Sequence, residues 1–186
     1  MFDIERFLEA KMNPLFRTYY AMWVHWWPVW RSITGKNIME KWAKFHLFKE
    51  GQTVLDFGCG TGDFTIPAAE IVRDTGKVYA LDYFKRQLGI VKRRIAKRGL
   101  NNVETMRSHE VVTLPDESVD IIWMCDVLHE ITEKRQVLRE MHRVLKNEGI
   151  LAIYDGMGDK TLEYTDRLFS LTDKDEKLLK FEKRSQ

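Results

Sequence analysis

From residue 52 onward, short apolar runs alternate with stretches in which apolar residues recur every three or four positions. Residues 53–57 (Thr-Val-Leu-Asp-Phe) stop at Gly58 and predict a strand. Residues 63–73 carry apolar side chains at 64, 68, 71 and 72 and predict a helix. Pro67 is tolerated in its first turn, and Asp63 suits the helix dipole. A second strand is expected at 77–82. A helix follows at 85–98, with Leu88, Val91 and Ile95 inward and Gly99 as its stop. Residues 102–106 predict a third strand. Residues 119–125 predict a fourth, whose nearly unbroken apolar run is what burial on both faces requires. A helix is expected at 133–146, with Val137, Met141, Val144 and Leu145 inward. Gly149 ends that unit, and 150–154 predict a fifth strand. The runs 168–172 and 178–181 flank a polar turn at 173–176, a hairpin that closes one sheet edge. Alternation of this kind specifies a doubly wound α/β fold, a largely parallel sheet with helices on both faces.

Residues 1–48 differ. They hold Trp23, Trp26, Trp27, Trp30 and Trp42, and only Trp123 lies elsewhere. No Pro/Gly/Ser-rich linker separates this stretch from the rest. The expectation is therefore one domain over 1–186: an aromatic-rich helical extension or lid (1–48) on a core (49–182). Its rings have three readings: a cover over a site, packing onto the sheet, or, least favoured, a contact with a membrane surface. The apolar run at 18–30 is too short to span a bilayer. The 30 basic and 28 acidic residues balance, so no nucleic-acid field covers the molecule. Cys59 and Cys125 build no disulfide framework, and no Cys/His group has zinc-site spacing. Free thiols in the cytoplasm, and no metal, are expected.

The chemistry concentrates at Gly58-x-Gly60-x-Gly62, between a strand and a helix. Glycines there permit a sharp turn and close approach of a ligand, with backbone N–H groups facing it. Asp82 ends the next strand, where an acid accepts ribose hydroxyls in nucleotide-binding α/β folds. A dinucleotide fingerprint needs glycine where Asp63 stands, and no Gly-Lys-Ser/Thr follows the turn. A nucleoside with a cationic, phosphate-free tail is the better match.

The blocks VLDFGCGTGDFT (54–65), YALDYF (79–84), LPDESVDIIWMCDVLHEI (114–131) and VLKNEGILAIYD (144–155) resemble, in order and spacing, the motifs of class I S-adenosylmethionine-dependent methyltransferases. Among these the chain resembles the small-molecule branch that includes the quinone-biosynthesis enzymes. The resemblance implies a Rossmann-like seven-strand mixed sheet with the last strand antiparallel. It also implies S-adenosylmethionine as cofactor and S-adenosylhomocysteine as product. By position, Asp56, Gly58, Cys59, Gly60 and Gly62 would line the methionine part. Asp82 would hold the ribose, and Tyr83 would pack on the adenine. Ser108 and His109 stand where the family has an Asp and a small residue at the adenine edge. Cys125 would approach through its backbone. Asn147-Glu148-Gly149 replaces the usual proline-glycine turn without an expected functional change.

Methyl transfer asks little of side chains beyond proximity and dryness. His129 and Glu130 follow the fourth strand and could face the substrate, and His129 is the candidate base, with packing or capping as its favoured role. The expected activity is methyl transfer to a small hydrophobic acceptor by a monomer or homodimer. A non-catalytic cofactor-binding or assembly protein is the alternative. A nucleic-acid methyltransferase is disfavoured, because Cys125-Asp126-Val127-Leu128 stands where an Asn-Pro-Pro-aromatic block would be needed.

Overall fold

The structure, a computed structural model, describes residues 47–107, 112–175 and 177–184, all within a unit that runs from Leu47 to Gln186. The expected helical extension, Ser108 and His109 lie outside the described residues. The elements are β1 (Thr53–Phe57), α1 (Thr65–Val72), β2 (Lys77–Asp82), α2 (Lys85–Arg98), β3 (Val103–Arg107), β4 (Val119–Cys125), α3 (Lys134–Val144), β5 (Leu145–Tyr154), α4 (Leu162–Thr165), β6 (Phe169–Asp175) and β7 (Leu178–Lys183). They form one seven-stranded sheet in the order β3-β2-β1-β4-β5-β7-β6. The first five strands pair in parallel, and β7 runs antiparallel to both β5 and β6.

Alternate residues along each strand face opposite layers. Leu55, Phe57, Leu81, Ile122 and Met124 join a large core with Val137, Leu138, Met141 and Val144 of α3. Ala80 joins Leu88 and Val91 of α2 on the other face. Phe64, just before α1, packs its ring 5.6 Å from that of Trp123 in β4. Phe169 and Phe181 bring the hairpin into the α3 layer, and each such buried ring stabilises the fold by roughly 1.5–3 kcal/mol. The β1–β4 pairing, in register from Val54↔Ile121 to Phe57↔Met124, is the point where strand order reverses. Ligands of open α/β sheets bind outside the strand ends at such a point.

The elements depart from expectation in five places. Ile71 is 40% exposed, because the inner face of α1 is set by Ile66, Ala69 and Val72 instead. The third strand starts one residue late. Asn102 turns its amide to the carbonyls of Ala69 and Arg73 (2.9 and 2.7 Å) and caps α1. The helix α3 stops at Val144, and β5 already begins at Leu145, with a register shift opposite Val119 and Ile121. Gly149 lies inside this irregular stretch, where a Cβ would come within 2.6 Å of the Leu145 side chain. Finally, β6 continues to Asp175, since an outer strand tolerates the polar residues taken for a turn.

Candidate active site

The strand β1 delivers the chain to Gly58, Gly60 and Gly62, all at positive φ (+75°, +53° and +82°). Such angles disfavour any residue with a Cβ. Space also excludes one at Gly58, where a Cβ would lie 2.6 Å from Val127. The N–H groups of Gly58 and Cys59 both donate to the Leu81 carbonyl at 2.9 Å. That of Gly60 donates to Asp82 Oδ2 at 2.8 Å, and that of Gly62 to the Cys59 carbonyl at 2.9 Å. The expectation that these amides face a ligand is thus corrected. The end of β2 lies beside the turn and takes three of them. With these four amides engaged, the glycine turn offers fewer donors to a phosphate. This is a firmer argument against a dinucleotide than the charge of Asp63. That carboxylate is ion-paired with Arg94 and also accepts the Thr61 hydroxyl at 2.7 Å.

Asp82 is buried, and its oxygens accept the N–H of Gly60 and the N–H of Phe84, each at 2.8 Å. Burial holds its carboxyl above the ordinary value of 3.8, opposed by the amides of Phe84, Gly60 and Tyr83. Asp56, also buried, accepts the Thr65 hydroxyl at 2.6 Å and so joins β1 to α1. The Cys59 thiol is pushed well up by burial and by the Asp56 and Asp82 charges, so it is neutral and unreactive. Tyr83 meets Phe84 edge-on at 5.0 Å. The Arg107 guanidinium lies 5.9 Å from the Tyr83 ring centre and donates to the Tyr83 carbonyl at 3.2 Å.

Across the switch point, β4 ends in buried Cys125, and the chain turns at Asp126 with φ +54°. A non-glycine residue there stores backbone strain, a feature that clusters at functional sites. The Asp126 N–H donates to the Tyr154 carbonyl at 2.7 Å, which ties the two strand ends together. The turn carries Val127 against Gly58 and begins the 3-10 turn Leu128–Glu130. The neighbouring strand ends beside it, so Asp155 meets His129. One Asp155 oxygen accepts the His129 backbone N–H at 3.2 Å and faces Nδ1 of its ring at 3.1 Å. The other accepts the Met157 N–H at 3.0 Å. Donor atoms of Asp126, His129 and Asp155 lie within 4.8 Å of one another. The Glu130 carboxyl is held above its ordinary value by desolvation, then by the field of Asp126, Asp82 and Asp155, with His129 opposing.

Asp56, Gly58, Cys59, Gly60, Gly62, Asp82 and Tyr83 therefore gather around the β1 and β2 ends, with Cys125 and His129 across from them. Sequence reasoning missed Asp155, Asp126 and Val127. The first was legible only as the acid that closes the fifth-strand block. A cavity of about 440 Å³ is lined by Tyr79, Glu104, Met106, Arg107, Thr113, Leu114 and Pro115. It touches neither the glycine turn nor His129, so it is not the space between them.

A family model described as a methyltransferase domain matches residues 48–182. A demethylmenaquinone methyltransferase of Geobacillus stearothermophilus is 38% identical over 103 residues, which is 55% of this chain and 44% of that protein. A ubiquinone/menaquinone biosynthesis C-methyltransferase of Escherichia fergusonii is 33% identical over 133 residues, 68% and 53% of the two chains. This chain thus spans about half the length of the curated relatives it matches. A crystal structure of a SAM-dependent methyltransferase from Aquifex aeolicus superposes with a TM-score of 0.70 at 29% identity, covering 76% of this chain and 87% of that one.

Proposed function

The chain belongs to the methyltransferase-domain family, and from that premise we propose that it transfers a methyl group from S-adenosylmethionine to a small, hydrophobic acceptor. The observation that carries this reading is the pairing of a glycine turn, its Gly58, Cys59, Gly60 and Gly62 amides all engaged, with buried Asp82 at the end of the neighbouring strand. Those four amides are not available to a phosphate, whereas a nucleoside with a cationic tail finds acceptors. With the amides of Gly60, Phe84 and Tyr83 on its two oxygens, the Asp82 carboxylate retains accepting capacity for a ribose hydroxyl. Tyr83, braced by Arg107, is positioned for the adenine face. Gly58, Cys59, Gly60, Gly62 and Asp56 form the wall for the methionine part, and Cys125 approaches from β4. Asp82, Asp126, Glu130 and Asp155 supply the negative field that two cationic centres require.

The cofactor, when bound, supplies an already activated sulfonium methyl. The chain's part is alignment and exclusion of water. The acceptor is proposed to lie beyond the β4 and β5 ends, beside Val127 and His129. The relatives named for demethylmenaquinone and for ubiquinone and menaquinone support a quinol as its class. Among the described residues no helix is long and apolar enough to cross a membrane.

The test is calorimetry with S-adenosylmethionine, followed by incubation with demethylmenaquinol and a panel of phenols and amines, read by mass spectrometry. Micromolar binding and a product heavier by one methylene support the proposal. Binding without transfer to any acceptor selects the non-catalytic alternative, and no binding removes both.

A further inference from the structure

His129 and Asp155 have the geometry of a base and its orienting carboxylate. Asp155 is 1% exposed, yet it is held by three donors: the N–H groups of His129 and Met157 and the His129 ring. An ionised carboxylate only accepts, so the ring nitrogen facing it, Nδ1, carries the proton. The other nitrogen, Nε2, then presents a lone pair. Its nearest carboxylate oxygen, on Glu130, is 3.9 Å away, beyond hydrogen-bond reach, and the side chain is 45% exposed. The charged groups that face this ring are Asp155, Asp126 and Glu130, while Lys134 Nζ lies 3.4 Å from the His129 carbonyl. A capping histidine would direct a ring nitrogen to backbone. This one is capped through its own backbone N–H, and its ring remains aimed outward.

We propose that His129 Nε2 is the general base of the reaction, with Asp155 as its positioning residue, and that the acceptor therefore arrives bearing an ionisable O–H or N–H. This rests on the methyl-transfer reading and deepens it. The imidazole takes the acceptor proton. The electron pair so freed forms the bond to the methyl carbon, directly from the deprotonated oxygen or nitrogen or, in a quinol, through the ring from the carbon ortho to the oxygen, while the sulfur–methyl bond breaks with its pair on sulfur. A ring carbon so methylated then loses its hydrogen to water as a proton, while the oxygen regains one from water. The imidazolium, paired with Asp155, then returns its proton to water through its exposed edge. Acid–base help of this kind is worth roughly 10²–10⁴ in rate.

The decisive measurement needs no turnover. NMR of the His129 ring nitrogens in the cofactor-free chain should show the Nδ1–H tautomer. In Asp155→Asn that preference should be lost, because an amide can donate to Nδ1 as well as accept from it. An unchanged tautomer preference in Asp155→Asn overturns the dyad. With S-adenosylmethionine and demethylmenaquinol, His129→Gln, on an exposed turn that tolerates substitution, should lower kcat at least hundredfold with cofactor Kd held within twofold. Asp155→Asn should move the acid limb of the kcat profile. A slower enzyme with an unmoved limb makes Asp155 merely structural and overturns the proposal. So does turnover abolished by EDTA and restored by Mn²⁺, because the three groups would then be ligands. If wild type binds cofactor and methylates nothing, the proposed function falls, and the NMR arm still decides the dyad.

Discussion

Around the glycine turn, four backbone amides and the Asp56, Asp63 and Asp82 carboxylates are engaged within the protein. Beyond β4 and β5 a buried acid holds an imidazole whose far edge stays open. The two glycines nearest these regions mark the difference. Gly58 sits at φ +75° with a Cβ position 2.6 Å from Val127, whereas a Cβ on Gly156 would meet nothing within 4 Å. The first region is closed before any ligand arrives, so its shape serves one cofactor. The second leaves groups unsaturated and can be fitted to an acceptor. A binding end made rigid and a reacting end left adjustable let one scaffold keep its methyl donor while its acceptor changes.

The largest effect that would break this contrast is Gly58→Ala. Left-handed strain and a clash with Val127 together should cost roughly 2–5 kcal/mol, read by urea unfolding. Gly156→Ala should stay within about 0.5 kcal/mol of wild type. Equal costs would mean that the second region is as tightly closed as the first.

Next in size is Asp82→Ala, which should weaken S-adenosylmethionine binding at least tenfold, about 1.4 kcal/mol or more. Asp82 also holds the Gly60 amide, so Asp82→Asn, which keeps one acceptor oxygen, should fall between alanine and wild type. Unchanged calorimetric affinity in Asp82→Ala would remove the ribose assignment.

The same carboxyl makes binding depend on pH. Burial raises its pKa above 3.8 in the folded chain. Its ionisation therefore opposes folding: this contribution to stability is present below 3.8 and is lost as pH rises through the raised value. Hydroxyl donors favour the ionised form and act in the opposite sense. Cofactor affinity should thus climb as pH rises through that window, with proton release detectable by calorimetry in two buffers, and should level off above it. Glu130 is shifted the same way, so the slope that survives in Asp82→Asn measures its share.

How much of this was legible in the sequence follows from the same contrast. Alternation and glycine stops located every strand, because burial on both faces leaves near-continuous apolar runs in 53–57, 77–82 and 119–125. They mislaid the end of α3, because Leu145 and Gly149 pack on each other in a bulge that has no period. The glycine turn and Asp82 were readable, since each lies at a strand end at fixed spacing. What the turn's amides do was not, because their acceptors belong to a neighbouring strand and not to the motif. Asp155 was hidden for a further reason. It meets His129 only because β4 and β5 lie side by side, with Cys125 opposite Tyr154.

The smallest effect sharpens the distinction most. Asp63 stands where a dinucleotide fingerprint has glycine, and it is paired with Arg94 and with the Thr61 hydroxyl, while Arg94 also donates to the Thr61 carbonyl at 2.8 Å. Both side chains are about one-third exposed (31% and 34%), so solvent screens the pair. Asp63→Asn and Arg94→Gln should each cost no more than about 1 kcal/mol of stability. If the turn's charges are truly engaged with one another, neither should change S-adenosylmethionine affinity by more than roughly threefold, about 0.65 kcal/mol. Arg94→Gln is the more telling of the two. It frees Asp63, and an anion released beside a cationic ligand should tighten binding slightly and more so at low salt. Weaker binding in both variants, to the extent seen for Asp82→Ala, would make Asp63 a ligand group and the first region an open one after all.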